Sequence, residues 1–359
     1  MSEVMTSGNG GYYDIPMLKP PVWKWEISSY FFLGGLSGAA HVYGRLASRT
    51  NAHAEVGRLA ALTAAAAFLP CAPLLILDLG DKSRFHHMLR IFKPHSPMSL
   101  GTWTITAYSV FVLGDAVAAV LKWRPGMLRN LLDVAGLPLG MMMTAYTGVL
   151  LSCTATPLWS HNRWLPALFA AGSFHNAGTA IELSMEIAEL TASPQKRERK
   201  KQRREASHNA FELLDGLTTV AEAVTIAGYL SEAGDFAEPI TEGKMSQVFW
   251  LGGVGLGLIA PWLLRGLRVP KKAEPYKKIA GHLMGLAGGL ALRWALVYGG
   301  HESGNDQMAA RRSSAKQNGR HSTRAAGQAR AGGAAIEGGA AREVGILIAG
   351  VTTHSAHIG

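Results

Sequence analysis

Apolar residues fall along this chain in eight long runs, each near the ~20 residues that a helix needs to cross a hydrocarbon core, separated by shorter polar segments. The runs are Trp25–Gly44, Val56–Leu79, Leu100–Leu121, Leu131–Ser152, Trp164–Leu190, Asn209–Leu230, Ser246–Leu267 and Ile279–Gly299. This pattern predicts an all-α fold, a polytopic integral membrane helix bundle of about eight transmembrane helices. A pseudo-symmetric pair of four-helix halves is compatible with that count, although no repeat of exact strings is visible. The sixth run is the weakest, because it contains Glu212, Asp215 and Glu222. Small residues at Gly34, Gly35 and Gly38, and again at Gly252, Gly253, Gly255 and Gly257, suit close helix contact in lipid. Residues 1–24 are expected to form an extramembrane N-terminal segment, 25–303 the membrane domain and 304–359 a low-complexity tail rich in Ala, Gly and Arg, expected to be disordered.

Composition agrees with this reading. Hydrophobic residues make up 48% of the 359, charged residues 17%, and there are 42 glycines, a balance that fits a membrane protein better than a soluble one. The mean hydropathy of +0.11 is diluted by the basic loop and the tail. The two cysteines, Cys71 and Cys153, lie inside apolar runs. A disulfide framework or a thiolate metal site is therefore not expected, and an iron-sulfur cluster would have to belong to another subunit. The N-terminus shows no basic segment followed by an apolar core, so no removable signal peptide is expected.

Lys and Arg are concentrated in the segments after the first, third, fifth and seventh runs, above all in Lys196–Arg204 (KRERKKQRR) and between Arg265 and Lys278. Cytoplasmic loops hold the excess of basic residues, so these segments are expected inside and both termini outside. The net charge of +10 is mostly this bias plus the tail, with membrane lipid headgroups rather than nucleic acid as its partner.

Candidate chemistry lies at two depths. Glu26, Asp78, Tyr146 and Arg293 fall toward the outer ends of the first, second, fourth and eighth runs, where they are expected to meet at one depth. A guanidinium in an apolar helix is costly and calls for a partner; Asp78 and Glu26 are the candidates for Arg293. Deeper and toward the cytoplasm lie Asp115, His175, Asn176, Glu182, Glu186, Asp215 and Glu222, with Glu182 and Glu186 on one helical face. His41 and His282 form the one depth-matched histidine pair, but a bis-imidazole haem site there is not expected. The connection DLGDKSRFHHMLRIFKPHSPMSLGTW, Asp78 to Trp103, alternates basic and apolar residues as an amphipathic interface element would.

Three strings, WEISSYFFLGGLSGAA, the Asp78–Trp103 connection and YTGVLLSCTATPLW (Tyr146–Trp159), are expected on one face. Together they resemble the NrfD or polysulfide-reductase membrane-subunit family over roughly residues 12 to 303, most specifically in RF, MLR, KP and SPMS of the connection and in the Tyr146 string. The resemblance implies a haem-free, eight-helix anchor in the bacterial plasma membrane that reacts with menaquinone or ubiquinone. Such a subunit, not catalytic alone, docks a ferredoxin-like iron-sulfur subunit that connects it to a molybdopterin or multihaem cytochrome subunit. It implies a quinone contact at Tyr146, with Asp78, Arg293 and Glu26 joining it as quinone-binding candidates on their residue chemistry, and Arg84, Phe85, Arg90, Lys93, Pro157 and Trp159 as candidates for docking. In the family the first-helix ligands are Asn or His, and Glu26 departs from that pattern. A proton route from the cytoplasm would use Asp115, Glu222, Glu182 and Glu186. The competing classes are an ion or solute transporter, whose site would sit near the midplane, and a passive anchor without a quinone site.

Overall fold

The computed structural model describes residues 23–49, 54–123, 126–160 and 162–305. The expected N-terminal segment, but for its last two residues, and the tail beyond Asn305 lie outside the described residues, as do the side chains of the basic run 196–204. Eight long helices follow one another: α1 (Trp25–Ala47), α2 (Ala54–Asp78), α3 (Pro97–Leu121), α4 (Arg129–Ser152), α5 (Leu165–Thr191), α6 (Pro194–Ala233), α7 (Val248–Gly266) and α8 (Glu274–Asn305). Among the described residues there is no strand.

Local chemistry sets the boundaries. Ser96 caps α3, its hydroxyl accepting from the Ser99 amide at 3.4 Å, with Pro97 pre-set in the first turn. Lys122 ends the same helix in a left-handed conformation, φ 54°. In α2 the ladder breaks at Leu69 and Pro70 and resumes at Cys71, because proline has no amide hydrogen to donate. The stretch read as a basic loop between the fifth and sixth runs is instead the first turns of α6, a single helix of 40 residues. Ser193–Pro194 gives it a start, and Lys, Arg, Gln and Glu are all good helix formers.

Six of the eight helices are apolar enough to cross a membrane by composition; α1 and α5 fall short. The reason is position. α1 packs on α2, α4, α5 and α8, and α5 packs on α1, α2, α4, α6 and α8, so these two occupy the middle of the bundle. A helix sheltered by other helices need not be apolar on every side, which is how α1 carries the buried Ser28, Ser37, His41 and Arg45. The weak sixth run does qualify: Phe211, Asp215, Glu222, Ile226, Tyr229 and Ala233 recur at helical spacing as its one buried stripe.

Two four-helix halves emerge. In the first, α1 packs on α2 and α4, α2 on α3 and α3 on α4, a closed ring. In the second, α5 packs on α6 and α8 and α8 on α7, but α6 and α7 barely touch. α7 is held through glycines: a Cβ on Gly253 would meet the Leu292 Cβ at 3.2 Å, and one on Gly257 the Gly288 backbone at 3.3 Å. With helices alternating in direction, the start of α1, the connection after α2, the end of α4 and the end of α8 share one end of the bundle, termed the loop end. The opposite end carries the connections after α1, α3, α5 and α7 and is termed the basic end.

Candidate functional site

At the loop end, Tyr146 on α4 fills the space left by Gly101 on α3 and donates its hydroxyl to the Pro97 carbonyl at 3.0 Å. Glu26 lies one turn before the buried Tyr30 on α1. Its Oε2 is buried without a hydrogen-bond partner. Asp78, half-buried at the end of α2, stands within electrostatic reach of Glu26 and Lys24. Three of the four expected residues thus collect at this end. Arg84 pairs with Asp81 at 3.1 Å.

The connection above them folds as a 3₁₀ helix, Lys82–Leu89, capped by Asp81 through the Ser83 amide at 3.2 Å. Arg84, Phe85, Arg90 and Lys93 are all exposed, as are Met88, Ile91 and Phe92. Pro157 and Trp159 differ from them. Both are buried: Trp159 stacks on Trp23 with centroids 5.6 Å apart, donates its indole N–H to the Leu296 carbonyl at 2.9 Å and occupies the space beside Gly300. Both side chains are turned into the bundle, where they fix the backbone rather than present a surface.

Arg293 does not join the loop-end group. It is 1% exposed, its guanidinium lies 4.4 Å from the centroid of Phe169 and donates to the Phe169 carbonyl at 3.1 Å. The acid that faces it is Glu222, not Asp78 or Glu26: a Cβ on Gly172 would lie 2.5 Å from Glu222 Oε1 and 2.6 Å from Arg293 Nη2. Both side chains close over Gly172, in the space that a Cβ would take. From Glu222 a buried polar series runs toward the basic end. His175 Nδ1 lies 2.6 Å from Glu222 Oε2, its Nε2 lies 3.6 Å from Asp215 Oδ1, and Asp215 Oδ2 is bound by Arg265 at the end of α7. Beside it, Glu182 faces His282 at 3.7 Å and Glu186 pairs with Lys278 at 3.0 Å.

Two cavities adjoin this series. One, of about 260 Å³, is lined by Glu182, Glu186, Glu212, Lys277 and Lys278; the other, of about 210 Å³, by His175, Asp215, Thr219, Val220 and Trp262. Arg265, Pro261, Gly281 and His282 belong to both.

Asp115 belongs elsewhere. In the first half its Oδ1 accepts from Arg45 at 3.2 Å and its Oδ2 lies 3.6 Å from His41, all three side chains fully enclosed. Asp133 completes that group, bound by Arg45 Nε at 2.9 Å. His41 and His282 accordingly turn to different acids in different halves. Among the described residues, no three His, Cys, Asp or Glu side chains gather as metal ligands.

Two residues at the loop end escaped the sequence reading. Tyr30 lies one helical turn from Glu26, a spacing that could have flagged it. His301 hydrogen-bonds the Trp23 backbone and packs on Tyr298 at 5.3 Å, and its Nε2 is buried without a partner. Nothing in the local string marks it.

The family described as polysulphide reductase, NrfD matches residues 14–303. The C subunit of polysulfide reductase from Wolinella succinogenes is 29% identical over 315 residues, covering 78% of the present sequence and 94% of its own. Protein NrfD of Escherichia coli is 24% identical over 307 residues, covering 78% of the present sequence and 95% of its own.

Proposed function

Because the chain belongs to the polysulphide reductase, NrfD family and is a multi-pass membrane subunit of a respiratory oxidoreductase, we propose that it exchanges electrons between the quinone pool and an iron-sulfur partner subunit. The supporting observation is the collection of Glu26, Asp78 and Tyr146 at the loop end, under an exposed segment that alternates basic and apolar side chains. A bound menaquinol or ubiquinol supplies two electrons and two protons on oxidation. The residues fit such a group. Glu26 Oε2 is an acceptor without a partner, Asp78 is a second carboxylate, and Tyr146 offers a hydroxyl on a rigid anchor. In this reading Tyr146 orients the ring, Asp78 and Glu26 take up protons, and the Phe31 and Tyr30 rings exclude water. Arg293 acts from deeper in the bundle, through Glu222.

Arg84, Phe85, Arg90 and Lys93 are the proposed contact with a ferredoxin-like subunit, which would pass electrons to a molybdopterin or multihaem cytochrome subunit. The proposed setting is a bacterial plasma membrane, with the loop end and both termini outward and the basic segments inside. A transporter would place its distinctive polar residues at the midplane, whereas here the strings that mark the family, with Glu26, Asp78 and Tyr146, gather at one end of the bundle.

Binding of a fluorescent or quenching menaquinone analogue to the purified chain tests the site. Tyr146→Phe and Asp78→Asn are each expected to weaken binding about tenfold, equivalent to ~1.4 kcal/mol. Unchanged affinity in both variants removes the assignment.

A further inference from the structure

We propose that Arg265 is a gate between the two cavities of the second half, and that His175 behind it carries protons from the basic end to Glu222. The inference rests on the reading of this chain as a quinone-reactive subunit, and narrows the expected proton route to the acids of its second half.

The geometry carries it in three steps. First, the cavities differ in character. The outer one has half-exposed Glu274 and Lys278 at its rim and the buried Glu182 and Glu186 on its wall, an arrangement suited to water. The inner one reaches His175 and Asp215, each at least nine-tenths buried, and is flanked by Val220 and Trp262, apolar side chains 62% and 69% exposed on helices apolar enough to lie against hydrocarbon. A flank against hydrocarbon offers no water, which leaves the Arg265 side as its aqueous approach.

Second, Arg265 stands at the junction. It lines both cavities and closes onto Asp215 Oδ2, while its own side chain is 46% exposed. While that pair holds, Asp215 is neutralised and the passage to His175 is occupied. When it opens, Asp215 is free to attract a proton or hydronium from the outer chamber. The element carrying Arg265 suits such movement: α7 is held on α8 by glycine contacts, barely touches α6 and gives way to extended backbone at Leu267, two residues after Arg265.

Third, His175 is bridged between two carboxylates through its two nitrogens. A proton accepted at Nε2 from the Asp215 side is balanced by release of the Nδ1 proton to Glu222, after which ring or tautomer relaxation restores the start. Glu222 then lies across Gly172 from Arg293. In the first half the corresponding acids are held differently: Arg45 binds both Asp115 and Asp133, and neither acid lines either of these two cavities.

Cysteine accessibility in liposome-reconstituted full-length protein tests the gate and needs no quinone, so its failure is distinct from failure of the quinone site. In a Cys71→Ser, Cys153→Ser background, a membrane-impermeant trimethylammonium methanethiosulfonate reports the outer chamber through Glu212→Cys and the inner through Thr219→Cys. With Arg265 intact, the Thr219→Cys thiol is expected to react at least about tenfold more slowly than the Glu212→Cys thiol, the rarity expected for a pair that must break. Arg265→Ala should bring the two rates together, and Arg265→Lys should keep them apart. An unchanged Glu212→Cys rate certifies folding of each variant. Equal rates with Arg265 present, or a slow Thr219→Cys rate that Arg265→Ala leaves unmoved, overturns the gate.

Discussion

Asp115 shows how much a single buried charge can decide. It was legible from the sequence as an acid inside an apolar run, and such acids point either to a pathway or to a partner. The structure gives it the partner: Arg45, whose Nη1 reaches Asp115 while its Nε reaches Asp133. Removing one member of an enclosed ion group leaves the other uncompensated, at roughly 3–5 kcal/mol. Because Asp133 stays on Arg45, Asp115→Ala is expected at the low end, about 3 kcal/mol, read as a lowered midpoint of thermal unfolding of the detergent-solubilised protein. Trp159 gives the opposite lesson. A tryptophan at a membrane edge reads as an anchor or a docking residue, but Leu296 and Gly300, which enclose it, lie far along the chain and leave no mark on its own string.

Among the elements, α7 is the one whose attachment is most easily disturbed. A Cβ at Gly288 would run into the Gly257 backbone, and backbone cannot move aside as a flexible side chain would. Gly288→Ala is therefore expected to push α7 off α8, with an overpacking penalty of about 1–3 kcal/mol. Faster limited proteolysis in the 267–273 connection, relative to the unsubstituted protein, is the measurement that checks it. The helices themselves were largely readable in advance, since a membrane enforces length and apolarity on every segment it touches. What the pattern could not deliver was the length of α6, because a run of Lys and Arg reads as a solvated loop when orientation is judged by charge alone. Nor could it say that α1 and α5 are interior, which depends on neighbours rather than on their own residues.

For the molecule as a whole, the two halves share an architecture and differ in access. In the first half Arg45, Asp115 and His41 are fully buried and Asp133 is partly exposed beside Arg49, while the second half's charge group lines two cavities. In the assembled complex in liposomes with a trapped pH dye, Glu222→Gln is expected to cut the proton uptake that accompanies quinone reduction by about tenfold or more. Asp115→Asn should leave uptake per assembled complex within about twofold, since it lines neither of the two cavities. Equal losses in both would remove the distinction between the halves. The candidate residues were legible as polar groups in apolar runs, but their grouping was not. Glu26, Asp78 and Tyr146 were placed by helix direction alone, whereas Arg293 was misassigned to them because depth along one helix does not reveal which neighbour has a glycine opposite.

The unbroken run of α6 has a mechanical corollary. At ~1.5 Å per residue its 40 residues span about 60 Å, roughly double the hydrocarbon thickness, so its first turns stand clear of the bilayer as a mast. Asp215 and Glu222 ride on the same rod, and a torque applied to the mast is felt at both acids.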